Sequence, residues 1–307
     1  MALYDSFSDG DVSAPPVITL KSRDGKIVTA VQIIEKLSVF YTHKDGNDEK
    51  DYEDASGFNL DTLLFSIADG ATESIFSREF ANMLVESFVS TKELTEALTE
   101  YGSAKSLKNM LESAIERVKA RWGLMVAGKS LPWYAQEKVE QGAHTAFLGL
   151  RIVPIVVSGK KGISRYLTPW HSRYIDCTLK WEASCVGDSC LFIVRGDILI
   201  KSFPIETAAG FDNTPYLIGS VGAMDNRTIF VDSGYLAGGD CIYMLSDALA
   251  AWFLKSCEAG QMPWKVLASI GSNDEFQAFV VALRESKELR NDDSTLVSIS
   301  IVKQVKS

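Results

Sequence analysis

Four acidic clusters, far apart in the chain, each stand where a short apolar run ends: Glu53-Asp54, Asp69-Gly70, Ser246-Asp247 and Asn291-Asp292-Asp293. A fifth, Gly187-Asp188-Ser189, lies between two apolar runs. A single strand-end aspartate is an ordinary turn former, because its side chain bonds the backbone two residues on. Carboxylates that converge are a different matter. Two like charges ~4 Å apart repel by ~4 kcal/mol at an effective dielectric near 20, so something must offset them. Divalent cations do this. Oxygen donors with no Cys or His among them suit Mg²⁺ or Mn²⁺ and suit Zn²⁺ poorly.

The order of the clusters carries more than any one of them. Tyr-Glu-Asp-Ala (52–55), Leu-Phe-Ser-Ile-Ala-Asp-Gly-Ala-Thr-Glu-Ser (64–74) and Gly-Ala-His-Thr-Ala (142–146) come first. Val-Gly-Asp-Ser (186–189), Met-Leu-Ser-Asp-Ala-Leu (244–249) and Asn-Asp-Asp-Ser-Thr-Leu-Val (291–297) follow. Together they resemble the metal-dependent protein phosphatase 2C (PPM) family, its bacterial members above all, over about residues 38 to 303. The resemblance implies two antiparallel sheets packed face to face and flanked by helices, an α+β fold of the αββα sandwich type. It implies two ions, Mn²⁺ or Mg²⁺, bridged by a carboxylate and a water, with room for a third ion. That water would lose a proton near neutral pH and attack the phosphorus of a phosphoserine or phosphothreonine in line with the leaving oxygen.

Carried over residue by residue, Asp69 resembles the bridging carboxylate, whose two oxygens can span two ions. Gly70 resembles the position whose backbone carbonyl binds one of them. Asp247 and Asp292 match terminal ligands of the other ion, and Glu53 and Asp54 match the pair that binds that ion or orders its waters. Asp188 resembles a ligand of the third, weaker ion. Asp69 and Asp54 are the residues on which the catalysis would rest. The chain also departs from the pattern. Ala71 stands where some relatives carry a His that protonates the leaving oxygen. Where others place a phosphate-gripping Arg before the Glu-Asp pair, this chain offers only Lys44 or Lys50. Ala248 replaces a frequent Gly, and Asp293 replaces a frequent Asn, adding a charge.

The rest of the composition narrows the class. A chain of 307 residues with 46% apolar residues, 15 Phe and 6 Trp has ample material for a buried core. A net charge of −9 disfavours nucleic acid and anionic membranes as partners. No apolar stretch is long enough to span a bilayer, and the N-terminus has no basic-then-apolar signal pattern. The five cysteines (177, 185, 190, 241, 257) show no Cys-x-x-Cys spacing, as expected in a reducing cytoplasm. His43, His144 and His171 accompany no nucleophile motif, which argues against a serine hydrolase.

The elements that must position these residues follow from periodicity. Residues 1–16 read as a loose polar lead-in to one domain, 17–307. Val17–Leu20 and Ile27–Tyr41 hold the first strands, and Thr62–Ala68 is a buried strand ending at Asp69. Phe76, Phe80, Met83, Leu84 and Phe88 recur at helical spacing, so Ser74 to about Ser90 should be an amphipathic helix. Leu107 to Trp122 predicts a second helix, and Gly142 ends a short third one before a strand from His144 to Val157. Thr178–Val186, Cys190–Arg195 and Ile198–Phe203, separated by Gly-Asp turns, read as an antiparallel meander. Residues 204–238, rich in Gly, Asn and Asp, read as a flap-like segment. A strand from Cys241 leads into a helix from Asp247, helices near 263–270 and 275–288 follow, and Ser294–Val302 is the last strand.

Three functions fit this sequence. The first is a Mn²⁺- or Mg²⁺-dependent protein serine/threonine phosphatase opposing a Ser/Thr kinase. The second is a phosphatase-like regulatory or binding module with weak turnover, which Ala71 and the missing upstream Arg favour. The third is a small-molecule phosphomonoesterase using the same site.

Overall fold

The structure is a computed structural model. It describes residues 17–21, 27–72, 74–90, 107–129, 132–156, 177–211, 215–223 and 225–303. The lead-in (1–16), His171 and Glu73 lie outside the described residues.

Strands β1 (Val17–Lys21) and β2 (Ile27–Gln32) pair with each other as a hairpin. The remaining strands make two larger antiparallel sheets. The first contains β4 (Ala55–Asn59), β5 (Leu64–Gly70), β6 (His144–Val156), β7 (Cys177–Val186) and β11 (Phe230–Leu236), in the order β11-β7-β6-β5-β4. A two-residue strand, β10 (Ile218–Gly219), pairs with the start of β6. The second sheet runs β3-β13-β12-β8-β9. Its strands are β3 (Ile34–Thr42), β8 (Cys190–Arg195), β9 (Ile198–Phe203), β12 (Cys241–Leu245) and β13 (Ser294–Ile301).

Alternation along each strand splits its side chains between two cores, as the pleat requires. In β5, Phe65 and Ile67 face the other sheet, while Leu64 and Ala68 face helices. The inter-sheet core gathers Phe65, Leu148, Leu150, Trp181, Ile193, Met244 and Val297, among others, all nearly inaccessible. Helices α1 (Ser77–Val89) and α2 (Leu107–Ala127) cover the outer face of the first sheet. Phe80, Leu84 and Phe88 form the buried stripe of α1, each four residues from the next, as their spacing predicts. A third helix, α3 (Trp133–Gln141), leads into β6. Helices α4 (Asp247–Glu258), α5 (Pro263–Ser269) and α6 (Asn273–Glu285) cover the outer face of the second sheet. Helix, sheet, sheet, helix is the expected αββα sandwich.

Two expectations change. The three strands 177–203 do not form a meander: β7 pairs with β6 and β11, whereas β8 pairs with β12 and β9. The turn Gly187-Asp188-Ser189 therefore crosses from one sheet to the other. The residues next to the turn, Ser184–Val186 and Cys190–Val194, are buried on both faces, and nothing local distinguishes a hairpin from a crossover in such runs. The second change is in 204–238. That segment contains the seven-residue strand β11, an edge strand whose outward Phe230, Val231, Ser233 and Tyr235 hide any clean alternation.

Candidate metal centre

One end of the sandwich collects the acidic clusters, each delivered by the end of an element. Asp69 is the penultimate residue of β5, on the face that carries Phe65 and Ile67 into the inter-sheet core. Its partner across the ladder is Ala146, and its carbonyl accepts the Thr145 hydroxyl at 2.8 Å. Gly70 follows where only a glycine fits: a Cβ there would lie 2.8 Å from the Glu53 carbonyl oxygen and 3.1 Å from Ser77 Cβ. Asp188 is buried on the sheet-to-sheet crossover. Gly187 makes that turn at φ +102°, and a Cβ there would collide with Ala146 Cβ at 2.5 Å. The Cys185 thiol donates to Ser189 O at 3.4 Å and the Cys190 thiol to Asp188 O at 3.3 Å, so the two cysteines brace the turn.

Asp247 opens α4 directly after β12, where a carboxylate is favoured by the helix dipole. Its Oδ1 accepts the Ala248 N–H. Asp292 and Asp293 precede β13. Asp54, 2% exposed, precedes β4, and its Oδ2 accepts the Thr295 hydroxyl at 2.6 Å. Thr295 Oγ1 is also 2.5 Å from the Tyr52 hydroxyl, and the Thr295 N–H donates to Ser246 Oγ at 2.9 Å. One threonine thus ties together the loops bearing Asp54, Asp247 and Asp292.

The carboxylates feel one another. Burial pushes Asp54 well above the usual carboxylate range, and the charges of Asp293, Asp247 and Asp292 push it further, against the Thr295 hydrogen bond. Burial, then the charges of Asp54, Asp247, Asp188 and Asp292, raise Asp69 in the same way. Asp247 is raised by burial, with Arg290 opposing. Asp54, Asp69, Asp188, Asp247 and Asp292 therefore share one neighbourhood. Glu53 points elsewhere. Its Oε1 accepts Ser77 Oγ at 2.5 Å and its Oε2 lies 3.5 Å from Lys44 Nζ, on the wall of a cleft of about 880 Å³.

The donor set suits a hard divalent cation, and one observation points to a ligand: the buried Oδ1 of Asp54 has no hydrogen-bond partner among the described residues. An orphaned, desolvated carboxylate oxygen is costly unless a cation or donor meets it. Among the described residues, however, no three His, Cys, Asp or Glu side chains stand close enough to close around one ion as they are placed. Basic side chains engage two parts of the cluster instead. Arg290 Nη2 bonds Asp247 Oδ2 and, at 3.0 Å, Asp292 Oδ2. Burial works against the Arg290 charge, but Asp247 and Asp292 outweigh it and raise its pKa.

The sequence showed the extra charge of Asp293 but not its role, and it gave no signature for Arg284, Thr295 or Arg290. Asp293 accepts the Glu53 N–H at 2.7 Å with Oδ2 and the Lys44 N–H at 2.9 Å with Oδ1. Both carboxylate oxygens are in use, and an asparagine could accept only one of these bonds. That explains the extra charge at this position. Arg284, 8% exposed, donates to Asp292 O at 2.6 Å and His43 O at 3.0 Å, locking the two loops together. Of the phosphate candidates, Lys44 is held by Glu53 and by Thr72 Oγ1 at 2.9 Å, whereas Lys50 is exposed and paired with Asp48 at 2.8 Å.

No protein-family model and no curated protein matches the sequence. Solved structures do. A Mycobacterium tuberculosis serine/threonine phosphatase, PstP/Ppp, superposes with a TM-score of 0.51 over 88% of this chain and 99% of its own, at 11% identity. PppA, a regulatory component of the type VI secretion system (T6SS) in Pseudomonas aeruginosa, gives 0.50 over the same shares at 14% identity. The fold is that of the bacterial-type PPM serine/threonine phosphatases. A PstP catalytic domain in complex with two manganese ions has the same PPM fold, with a TM-score of 0.50 over 88% of this chain and 99% of its own, at 12% identity.

Proposed function

We propose that the chain is a Mn²⁺- or Mg²⁺-dependent protein phosphatase that hydrolyses phosphoserine and phosphothreonine. The observation that carries this reading is the desolvated carboxylate cluster at one end of a PPM fold, with the Asp54 oxygen unpartnered. Asp69 and the Gly70 carbonyl would hold one ion; Asp69, Asp247 and Asp292 the other, with Asp54 and Glu53 as ligands or water-ordering groups; Asp188 would serve a third. The ions would supply charge neutralisation and a nucleophilic water at neutral pH. The chain's own part is positioning. Thr295 orients Asp54, Asp293 fixes the Glu53-Asp54 backbone, and the crossover turn sets Asp188. Lys44 lines the adjoining cleft, where its charge would attract a phosphoryl group, with Lys50 at the outer edge.

Phosphorylated proteins, products of a Ser/Thr kinase, are the proposed substrates. Residues 204–238 would bias their choice: Tyr216 and Val221 are exposed on this segment, and the Tyr216 carbonyl packs against Gly187 beside Asp188. No described helix is long and apolar enough to cross a membrane, and we place the protein in the cytoplasm. The engagement of Asp247, Asp292 and Glu53 by basic residues favours a second reading, a regulatory module with weak turnover.

The test is turnover of a phosphothreonine peptide and of p-nitrophenyl phosphate by metal-stripped protein, with and without added Mn²⁺ or Mg²⁺. Both activities should depend on the metal. Full activity in excess EDTA after stripping rules the reading out, and metal binding without turnover selects the regulatory module.

A further inference from the structure

Arg290 is placed unlike a surface arginine. One nitrogen, Nη2, is shared between Oδ2 of Asp247 and Oδ2 of Asp292, which come from different elements, the start of α4 and the loop before β13. A single cationic nitrogen between two carboxylate oxygens does what a point cation does. Asp247 is largely buried, its side chain 12% exposed, whereas the Arg290 side chain is 53% exposed. The carboxylates are fixed; the arginine is free to leave. Asp247 is anchored through its own helix N-terminus, and Asp292 through Arg284, which bonds its carbonyl. Among the described residues Arg290 has no comparable anchor for its exposed stem, and it lines an open cleft of about 590 Å³ that also presents Asp45 and Glu285. A displaced guanidinium would find the Glu285 carboxylate there, and Asp45, which Arg284 engages at 3.2 Å.

From this geometry we infer that Arg290 is an internal counter-ion that competes with a divalent cation for Asp247 and Asp292. It thereby sets the affinity of the ion these two residues would hold. The inference rests on the metal-dependent reading above. Both cannot occupy the same oxygens, so cation uptake includes breaking the arginine's two bonds. Reciprocally, Arg290 relieves the repulsion between Asp247 and Asp292 when no ion does.

The experiment compares wild type, Arg290→Gln and Arg290→Lys by Mn²⁺ binding, followed by the electron paramagnetic resonance signal of free Mn²⁺, and by Tm in EDTA. In Arg290→Gln the Mn²⁺ site that Asp247 and Asp292 would form should tighten roughly 5- to 30-fold, the scale of losing one partly exposed competitor. The same variant should melt lower than wild type in EDTA and no lower in saturating Mn²⁺. Arg290→Lys, which keeps the charge on one compact group, should fall between the two. Equal or weaker Mn²⁺ binding by a folded Arg290→Gln overturns the inference and leaves the metal-dependent reading standing. Absence of Mn²⁺ binding in every variant overturns both.

Discussion

Asp54→Asn should make the protein more stable without metal and less stable with it. In the structure Asp54 is 2% exposed, one oxygen accepts from Thr295 and the other accepts nothing from any described residue. Among the described residues no basic side chain pairs with it, and three aspartates raise its pKa beyond the effect of burial. An isosteric amide keeps the Thr295 bond, removes the buried charge and turns an N–H₂ donor toward the neighbouring carboxylates. Relieving one unsatisfied buried group is worth about 1–3 kcal/mol. At ~2–4 °C per kcal/mol for a chain of this order of size, Tm in EDTA should rise by about 2–12 °C. Mn²⁺ at about 1,000 times its Kd adds ~4.1 kcal/mol to a protein that binds it only when folded. The variant lacks a proposed ligand and should gain little of this. The order of the two melting temperatures should therefore reverse between EDTA and Mn²⁺, as read by calorimetry of both proteins in both buffers. A lower Tm for Asp54→Asn in EDTA would refute the reasoning, because it would show that the carboxylate stabilises the fold by itself.

Asp69→Asn, Asp247→Asn and Asp292→Asn should each lower kcat by at least ~100-fold, the scale of removing one electrostatic element, while circular dichroism stays native. Folded-state pKa values raised for Asp54 and Asp69 mean that their contribution to stability is fully present below the ordinary carboxylate pKa and is lost as pH rises through the raised values. Stability in EDTA should therefore fall as pH increases above about 4. With Mn²⁺ the trend should invert, because ligands must be deprotonated to bind; a pH series of melting curves reads both slopes. Gly70→Ala places a methyl group 2.8 Å from the Glu53 carbonyl oxygen and should cost about 1–3 kcal/mol in urea unfolding. Asp293→Asn leaves one of two backbone N–H groups without an acceptor and should cost about 1–2 kcal/mol, which the same titration detects.

The sequence by itself determined most of the elements, though not β4 or β11, and the chemistry of the donors. Hydrophobic periodicity is local, so the stripes of α1 and α2 and the buried runs of β5 and β12 could be read directly, as could the aspartates at their ends. The order of those motifs also carried the fold class. Only the tertiary structure decided what depends on contacts between distant residues. The runs flanking Gly187-Asp188-Ser189 are equally apolar whether they form a hairpin or change sheets, so the crossover that brings Asp188 to the site was invisible locally. Glu53 and Asp54 are adjacent in the chain, but their side chains diverge, Asp54 into the cluster and Glu53 toward Lys44 and Ser77. The roles of Thr295, Asp293, Arg284 and Arg290 depend on partners up to 249 residues away, and no spacing rule reaches that far. Composition fixes which groups can bind a cation; packing alone fixes which of them face the same few ångströms of space.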